Sequence, residues 1–211
     1  KMRKSVIFLL ILCSALVISL ASGEAAYAAQ SVDEVFPPDE VTRVWAEAES
    51  KPLLPDKTEI DGAVSTRSMG TYPRRRGVIL VTDDKLSGLI PTGHAAIVYN
   101  YGTVVESLAL GVTTGQNNWY SSHGTCNAVT VNATSNAQDA AAADWCYGQI
   151  GKLYNFNYLY VAGRDRFYCS QLVWAAFLDL YGIDLNTNEF GPAIHPAELV
   201  ATPKTTLIYE K

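Results

Sequence analysis

Two short β-branched runs, at residues 94–99 and 104–108, are separated only by Asn100-Tyr101-Gly102, a spacer that turns the first run back on the second as a hairpin. That feature commits the chain to an antiparallel sheet. Further runs that read as strands lie at 77–81, 128–131 and 205–209, and the first of these is an unbroken apolar stretch of the buried kind. Two helices interrupt the pattern. One opens at Ser135 with Gln138 three residues on, a capping-box spacing, and continues through alanine-rich sequence to Gly148. The other spans about 170–180, with Leu172, Val173, Ala176, Phe177 and Leu180 on one side and Gly182 as its stop. A sheet with segregated helices is an α+β architecture.

Ahead of these elements, residues 31–72 are polar and marked by prolines. One amphipathic helix is expected at 39–50, carrying Val41, Val44 and Trp45, confined by Pro37-Pro38 before it and Pro52 and Pro55 after it. We read 29–75 as this helix plus a linker, packed on a main domain of 76–211. The first 28 residues have the three-part plan of a secretory signal peptide: Lys1, Arg3 and Lys4, an apolar run at 6–20, and small residues ending in Ala26-Tyr27-Ala28. An uncleaved membrane anchor is the competing reading of the same run. The expected location is therefore secreted or cell envelope, with no stable membrane span after processing. The net charge of −5, with no cationic run beyond Arg74-Arg75-Arg76, lacks the footprint of a nucleic-acid binder.

Loss of the leader would remove Cys13 and leave Cys126, Cys146 and Cys169, an odd number for an exported chain. Cys126 and Cys146 form a disulfide in an oxidising compartment if the fold brings them together; otherwise all three are reduced, small core residues. Cys169 stands directly before a helix, where unpaired backbone N–H groups and the helix dipole favour a thiolate. A thiol nucleophile needs a base. His94 opens a hairpin strand among small residues, whereas His123 reads as a solvated loop residue and His195 as a surface residue beside a turn. Glu106 lies on the returning strand, on the face that His94 occupies, and interrupts an otherwise apolar interior, so it is the group expected to orient the imidazole.

The segments Gly93-His94-Ala95-Ala96-Ile97-Val98, Val105-Glu106-Ser107, Gly111-Val112, Gly151-Lys152-Leu153-Tyr154-Asn155-Phe156 and Phe167-Tyr168-Cys169-Ser170-Gln171-Leu172-Val173-Trp174 occur in this order. Histidine first, a polar residue a dozen positions on, and a distant Tyr-Cys-Ser before a helix resembles the permuted papain-like amidases of the YiiX/YaeF type. These belong to the wider NlpC-like superfamily of cysteine peptidases, and the lecithin:retinol acyltransferase-like enzymes share the permuted order. The resemblance implies a circularly permuted papain-like fold with the nucleophile at a helix N-terminus. It also implies catalytic roles for Cys169, His94 and Glu106, with Tyr154, Tyr168 and Ser170 as substrate-binding residues around the thiol. The chain departs from the pattern at Gly77-Val78, where Gly-Asp is common, and at Asn155, where an Asp often follows the cleft tyrosine.

The expected activity is a secreted cysteine amidase or peptidase that forms a thioester intermediate. Its partners are peptide or N-acyl substrates, above all peptidoglycan fragments. Two alternatives stand beside it. An acyl hydrolase or acyltransferase on lipid-like substrates would expose an apolar patch near Cys169, with Trp119, Tyr120, Tyr158 and Tyr160 as contributors. A non-catalytic envelope-binding module would need none of the three polar groups together. No cofactor is expected, since the sequence has no Cys-x-x-Cys, no clustered histidines and no phosphate-binding glycine loop.

Overall fold

A computed structural model of the protein describes residues 31–57, 70–85 and 93–211. Six strands form one antiparallel sheet in the order β4-β3-β2-β1-β5-β6. The strands are β1 (Ile79–Thr82), β2 (His94–Asn100), β3 (Thr103–Leu108), β4 (Gly111–Gln116), β5 (Asn127–Val131) and β6 (Thr205–Tyr209). The helices are α1 (Val32–Val35), α2 (Pro38–Glu49), α3 (Trp119–Ser122), α4 (Asn136–Tyr147), α5 (Cys169–Tyr181) and α6 (Pro196–Ala201).

Alternation along the central strands explains why they are apolar on both faces. Ile79, Val81, Ala95, Ile97 and Val105 point into the larger core, which they share with residues of α2, α4, α5 and α6. Val78, Leu80, Ala96, Val98 and Val104 point the other way, into a smaller core with Trp119, Cys126 and Ile208. A central strand covered on both sides reads as continuous hydrophobic sequence. Ser135 caps α4 and Gln138 returns the bond, as the spacing indicated. Gly182 ends α5 in the left-handed conformation at φ 67°.

The N-terminal segment belongs to the larger core. Val41, Val44 and Ala48 are the buried face of α2, which packs on α6. Lys51 donates to the carbonyls of Val200, Thr202 and Thr205 at 2.6–2.8 Å, closing the end of α6, and burial pulls its ammonium down to about 8. Further along, Asp139 is fully buried and accepts from Arg75 at 2.7 Å, Lys57 at 2.9 Å and both Thr130 and Thr134. Arg75 grips Asp56 with a second pair of bonds at 2.8 Å, so the linker is riveted to α4.

Several expectations are corrected. Cys126 and Cys146 are free and belong to different cores on opposite faces of the sheet, so they form no disulfide with each other. His195 is fully buried, not at the surface: its Nδ1 caps α6 by accepting from Ala197 N–H at 3.1 Å. Strand β4 and helices α1, α3 and α6 were not foreseen. The leader reading of 1–28 lies outside the described residues. Among those described, no helix is long and apolar enough to cross a membrane.

Candidate active site

The start of α5 is built to hold its first residue still. Gln171, three residues after Tyr168, accepts from the Tyr168 N–H at 3.2 Å and from Asn155 Nδ2 at 3.0 Å. The Tyr168 hydroxyl accepts from Ile194 N–H at 2.9 Å and donates to Tyr158 C=O at 3.3 Å. Ser170 Oγ donates to Ile194 C=O at 2.6 Å. The side chains of Tyr168 and Ser170 are thus buried and engaged inside the protein, where they hold the backbone around Cys169. Cys169 itself is fully buried at the first position of the helix.

His94 is the first residue of β2 and meets this helix end. Glu106 pairs with Ala96 across the β2–β3 ladder, so His94 and Glu106 are diagonal neighbours on one face. Their side chains join through His94 Nε2 and Glu106 Oε2 at 2.6 Å, with the histidine buried and the carboxylate nearly so. The other carboxylate oxygen lies against Gly115 of β4, where a Cβ would overlap it. Gly115 therefore gives Glu106 its place, and Gly115→Ala is expected to push the carboxylate off the imidazole and cut turnover about tenfold or more, by the cost of misplacing one catalytic contact. Steady-state kinetics beside a thermal melt checks this. Equal turnover in the variant contradicts it.

The remaining ring nitrogen of His94, Nδ1, is buried and completes no hydrogen bond. Burial alone pushes the imidazole toward its neutral form, but the Cys169 side chain and the Glu106 carboxylate act against it and win, and the group rises to about 9. Cys169 is thus close enough to act on the ring without a finished hydrogen bond in the free protein. Catalytic hydrogen bonds commonly tighten only when substrate is present.

Tyr154 borders the same thiol. Its hydroxyl is buried and faces Tyr158 without a hydrogen bond of full geometry, and burial first, then Cys169, pushes it well above the usual phenol range. The Asn155 amide, where an Asp was the commoner residue, donates to Tyr160 C=O and Gln171 and accepts from Asn157 N–H, so it holds the loop together. Two other histidines lie elsewhere. His195 is held near 3 by burial among Phe36, Trp45 and Phe190. His123 is half-buried on Asp84 at 2.9 Å, not solvated as its loop sequence suggested. Of the four aromatics named for an apolar patch, Tyr120 and Tyr160 are exposed, whereas Trp119 and Tyr158 are buried.

Sequence reasoning overlooked Gln171 and Gly115. Gln171 had a signal, the three-residue capping spacing, hidden because tyrosine occupies the cap. Gly115 had none, because its role depends on a neighbouring strand that was not foreseen. Among the described residues no group of three or more His, Cys, Asp or Glu side chains is arranged to hold a metal ion.

Residues 81–209 match the family described as permuted papain-like amidase enzyme, YaeF/YiiX, C92 family. The chain belongs to this family. The match begins within β1, covers the other five strands of the sheet and includes Cys169, His94 and Glu106. Among solved structures, this C92 family chain is similar to the metalloprotein YiiX from Escherichia coli O157:H7, at 17% identity and a TM-score of 0.52 over 67% of this chain and 99% of that one. A likeness at that identity concerns the fold, and it agrees with the permuted papain-like architecture. The chain is also similar to the uncharacterized protein YycO of Bacillus subtilis (strain 168), 36% identical over 81 residues. That match takes in 36% of this chain and 32% of YycO, so the chain spans about a third of the length of this relative.

Proposed function

We propose that this C92 family chain is a cysteine amidase in which Cys169 is the nucleophile, His94 the proton carrier and Glu106 the residue that orients and charges the imidazole. The observation that carries the reading is the 2.6 Å bond between Glu106 and His94 Nε2, which leaves the buried Nδ1 unclaimed beside the first residue of α5. In the resting pair the proton sits on His94 and the negative charge on sulfur. The thiolate attacks the amide carbonyl carbon, and the developing oxyanion falls among N–H groups of the first turn of α5, which have no intrahelical acceptor. Tyr154, whose buried hydroxyl faces Tyr158, borders the same thiol. As the C–N bond breaks, His94 Nδ1 gives its proton to the leaving amine and a thioester remains on Cys169. Water, losing a proton to Nδ1, then attacks the thioester and returns the acid and the thiolate–imidazolium pair.

The substrate class proposed is the peptide amide of cell-wall fragments, reached by export through the apolar leader. The chemistry at Cys169 and the leader pattern support it together. Incubation with muropeptides, acid quench and intact-mass measurement tests it: an adduct on Cys169 with the mass of the acyl half, absent in Cys169→Ala, is expected. Absence of any adduct or released amine across peptide substrates sinks the peptide reading. Long-chain N-acyl amides are the second substrate class, favoured by Leu153, Phe156, Leu159 and Tyr160, which are exposed on the loop that carries Tyr154. The Phe156 ring packs on Tyr154 at 4.7 Å. An adduct formed only with these amides selects that class.

The charge on His94 sets the alkaline behaviour. Its affinity for protons is higher in the folded protein than in the unfolded chain, so the imidazolium's contribution is complete below about 6.5 and lost as pH rises through about 9. kcat/KM is therefore expected to fall on an alkaline limb near pH 9, and folding stability is expected to fall over the same interval. Rate measurements from pH 6 to pH 10.5 check the limb, and a flat profile past pH 10 contradicts it.

A further inference from the structure

One face of the His94 ring is covered by an aromatic side chain that the catalytic scheme does not use. Trp119, the first residue of α3, is almost fully buried and stacks on His94 with ring centres 5.4 Å apart and planes at 25°. Its indole is covered in turn by His123, 4.4 Å away at 43°. The segment bearing this stack is tied down on several sides. Tyr72 Oη accepts from the Trp119 N–H at 3.1 Å and donates to Asn117 at 2.7 Å. Asp84 Oδ2 holds both His123 Nδ1 and the Gly124 N–H at 2.9 Å.

We propose that Trp119 is a positioning residue for His94, clamped between two imidazoles, and that the Asp84–His123 pair is the outer brace of the clamp. The inference rests on the reading of His94 as the proton carrier. Physically, an indole face attracts a cation through its quadrupole and attracts a neutral ring less, so the stack favours the imidazolium over the imidazole. It also keeps water from the Glu106 bond, which is stronger for being dry. Finally, it fixes the ring plane in which Nε2 meets Glu106 while Nδ1 stays free for Cys169. Among the described residues, the charged and titratable groups around the stack are Glu106 from β3 and Cys169 from α5 beside His94, Tyr72 at the Trp119 backbone and Cys126 in the same small core, with Asp84 and Lys211, whose Nζ donates to His123 C=O, flanking His123.

The test is the pH dependence of Cys169 alkylation by iodoacetate, an anion that the His94 imidazolium draws in, so that labelling falls on an alkaline limb as His94 loses its proton. It is followed by peptide mass spectrometry in the full chain, for the wild type, Trp119→Leu, Trp119→Phe, His123→Ala and His94→Gln. Trp119→Leu is expected to move the alkaline limb to lower pH by about one unit, the size of a desolvated cation–π contact expressed as proton affinity. Trp119→Phe keeps a ring face and is expected to recover most of that shift, and it stands in if the leucine variant does not fold. His123→Ala is expected to move the limb the same way by less, and it removes the titration of His123 itself from the profile. A uniform loss at every pH with the limb unmoved in both Trp119 variants would overturn the proposal and leave Trp119 a packing residue. A wild-type Cys169 whose labelling shows no dependence on His94 would overturn the catalytic reading as well, and the two failures are distinct.

Discussion

Cys169→Ala is expected to abolish thioester formation and to lower amide turnover by at least about a thousandfold, the usual scale for removing an enzyme's nucleophile. Stability is expected to fall as well: the space of one sulfur atom is worth about 1 kcal/mol, and His94 loses the buried partner that helps to hold its proton. His94→Gln is expected to give a loss of comparable size, because nucleophile and proton carrier act as a unit and removing either one costs nearly as much as removing both. The double variant should then be no worse than either single variant. Steady-state rates with muropeptides or N-acyl amides, taken beside circular-dichroism melts, measure both quantities. A Cys169→Ala protein with tenfold-reduced activity would mean that another group performs the attack.

The largest effect on stability is expected at Asp139→Ala. This carboxylate has no solvent contact and serves Arg75, Lys57, Thr130 and Thr134 at once, so its removal strips two cations and two hydroxyls of their shared acceptor. Breaking a buried pair by deleting one partner costs about 3–5 kcal/mol. Asp56 retains its hold on Arg75 and places the loss toward the lower end of that range. The surface pair of Arg76 with Asp144 is the control, since the Asp144 side chain is more than half exposed and such pairs contribute about 1 kcal/mol or less. Urea denaturation of Asp139→Ala and Asp144→Ala compares them. Equal midpoints would show that the linker is not fastened through Asp139.

Much of this site was legible because it is local. The hairpin 94–108 follows from two β-branched runs and a short turn, and an irregularity between Val98 and Asn100 shifts the register by one residue, so that Ala96 pairs with Glu106 and positions 94 and 106 share a face. The helix boundaries at Ser135 and Gly182 were equally local, set by a capping box and a left-handed stop. What escaped notice depends on neighbours distant in sequence. Strand β4 is an edge strand of threonine and glycine with its outer half exposed, so it carries no apolar pattern to announce it. Its Gly115 nonetheless sets the place of Glu106. His195 looked superficial because it precedes a proline, yet α2 and Phe36 fold over it and bury it as a cap for α6. Tyr168 and Ser170 flank the nucleophile in sequence, but the segment at Ile194 claims both hydroxyls. Cys126 and Cys146 were candidates for pairing by location in the chain alone, but α4 packs Cys146 into the larger core while Cys126 lies in the smaller one.

Burial of both helps the experiment that bears most directly on Cys169 and His94. Burial pushes the Cys126 thiol up to about 12 and the Cys146 thiol further, so neither supplies thiolate near neutral pH. Iodoacetamide alkylation of the wild type and of His94→Gln from pH 5 to pH 10, read residue by residue by mass spectrometry, isolates the third cysteine. Cys169 should label faster than the other two well below the pH at which a free thiol ionises, and His94→Gln should remove that advantage. Labelling of Cys169 that follows an ordinary free thiol in both proteins would contradict the thiolate–imidazolium pair.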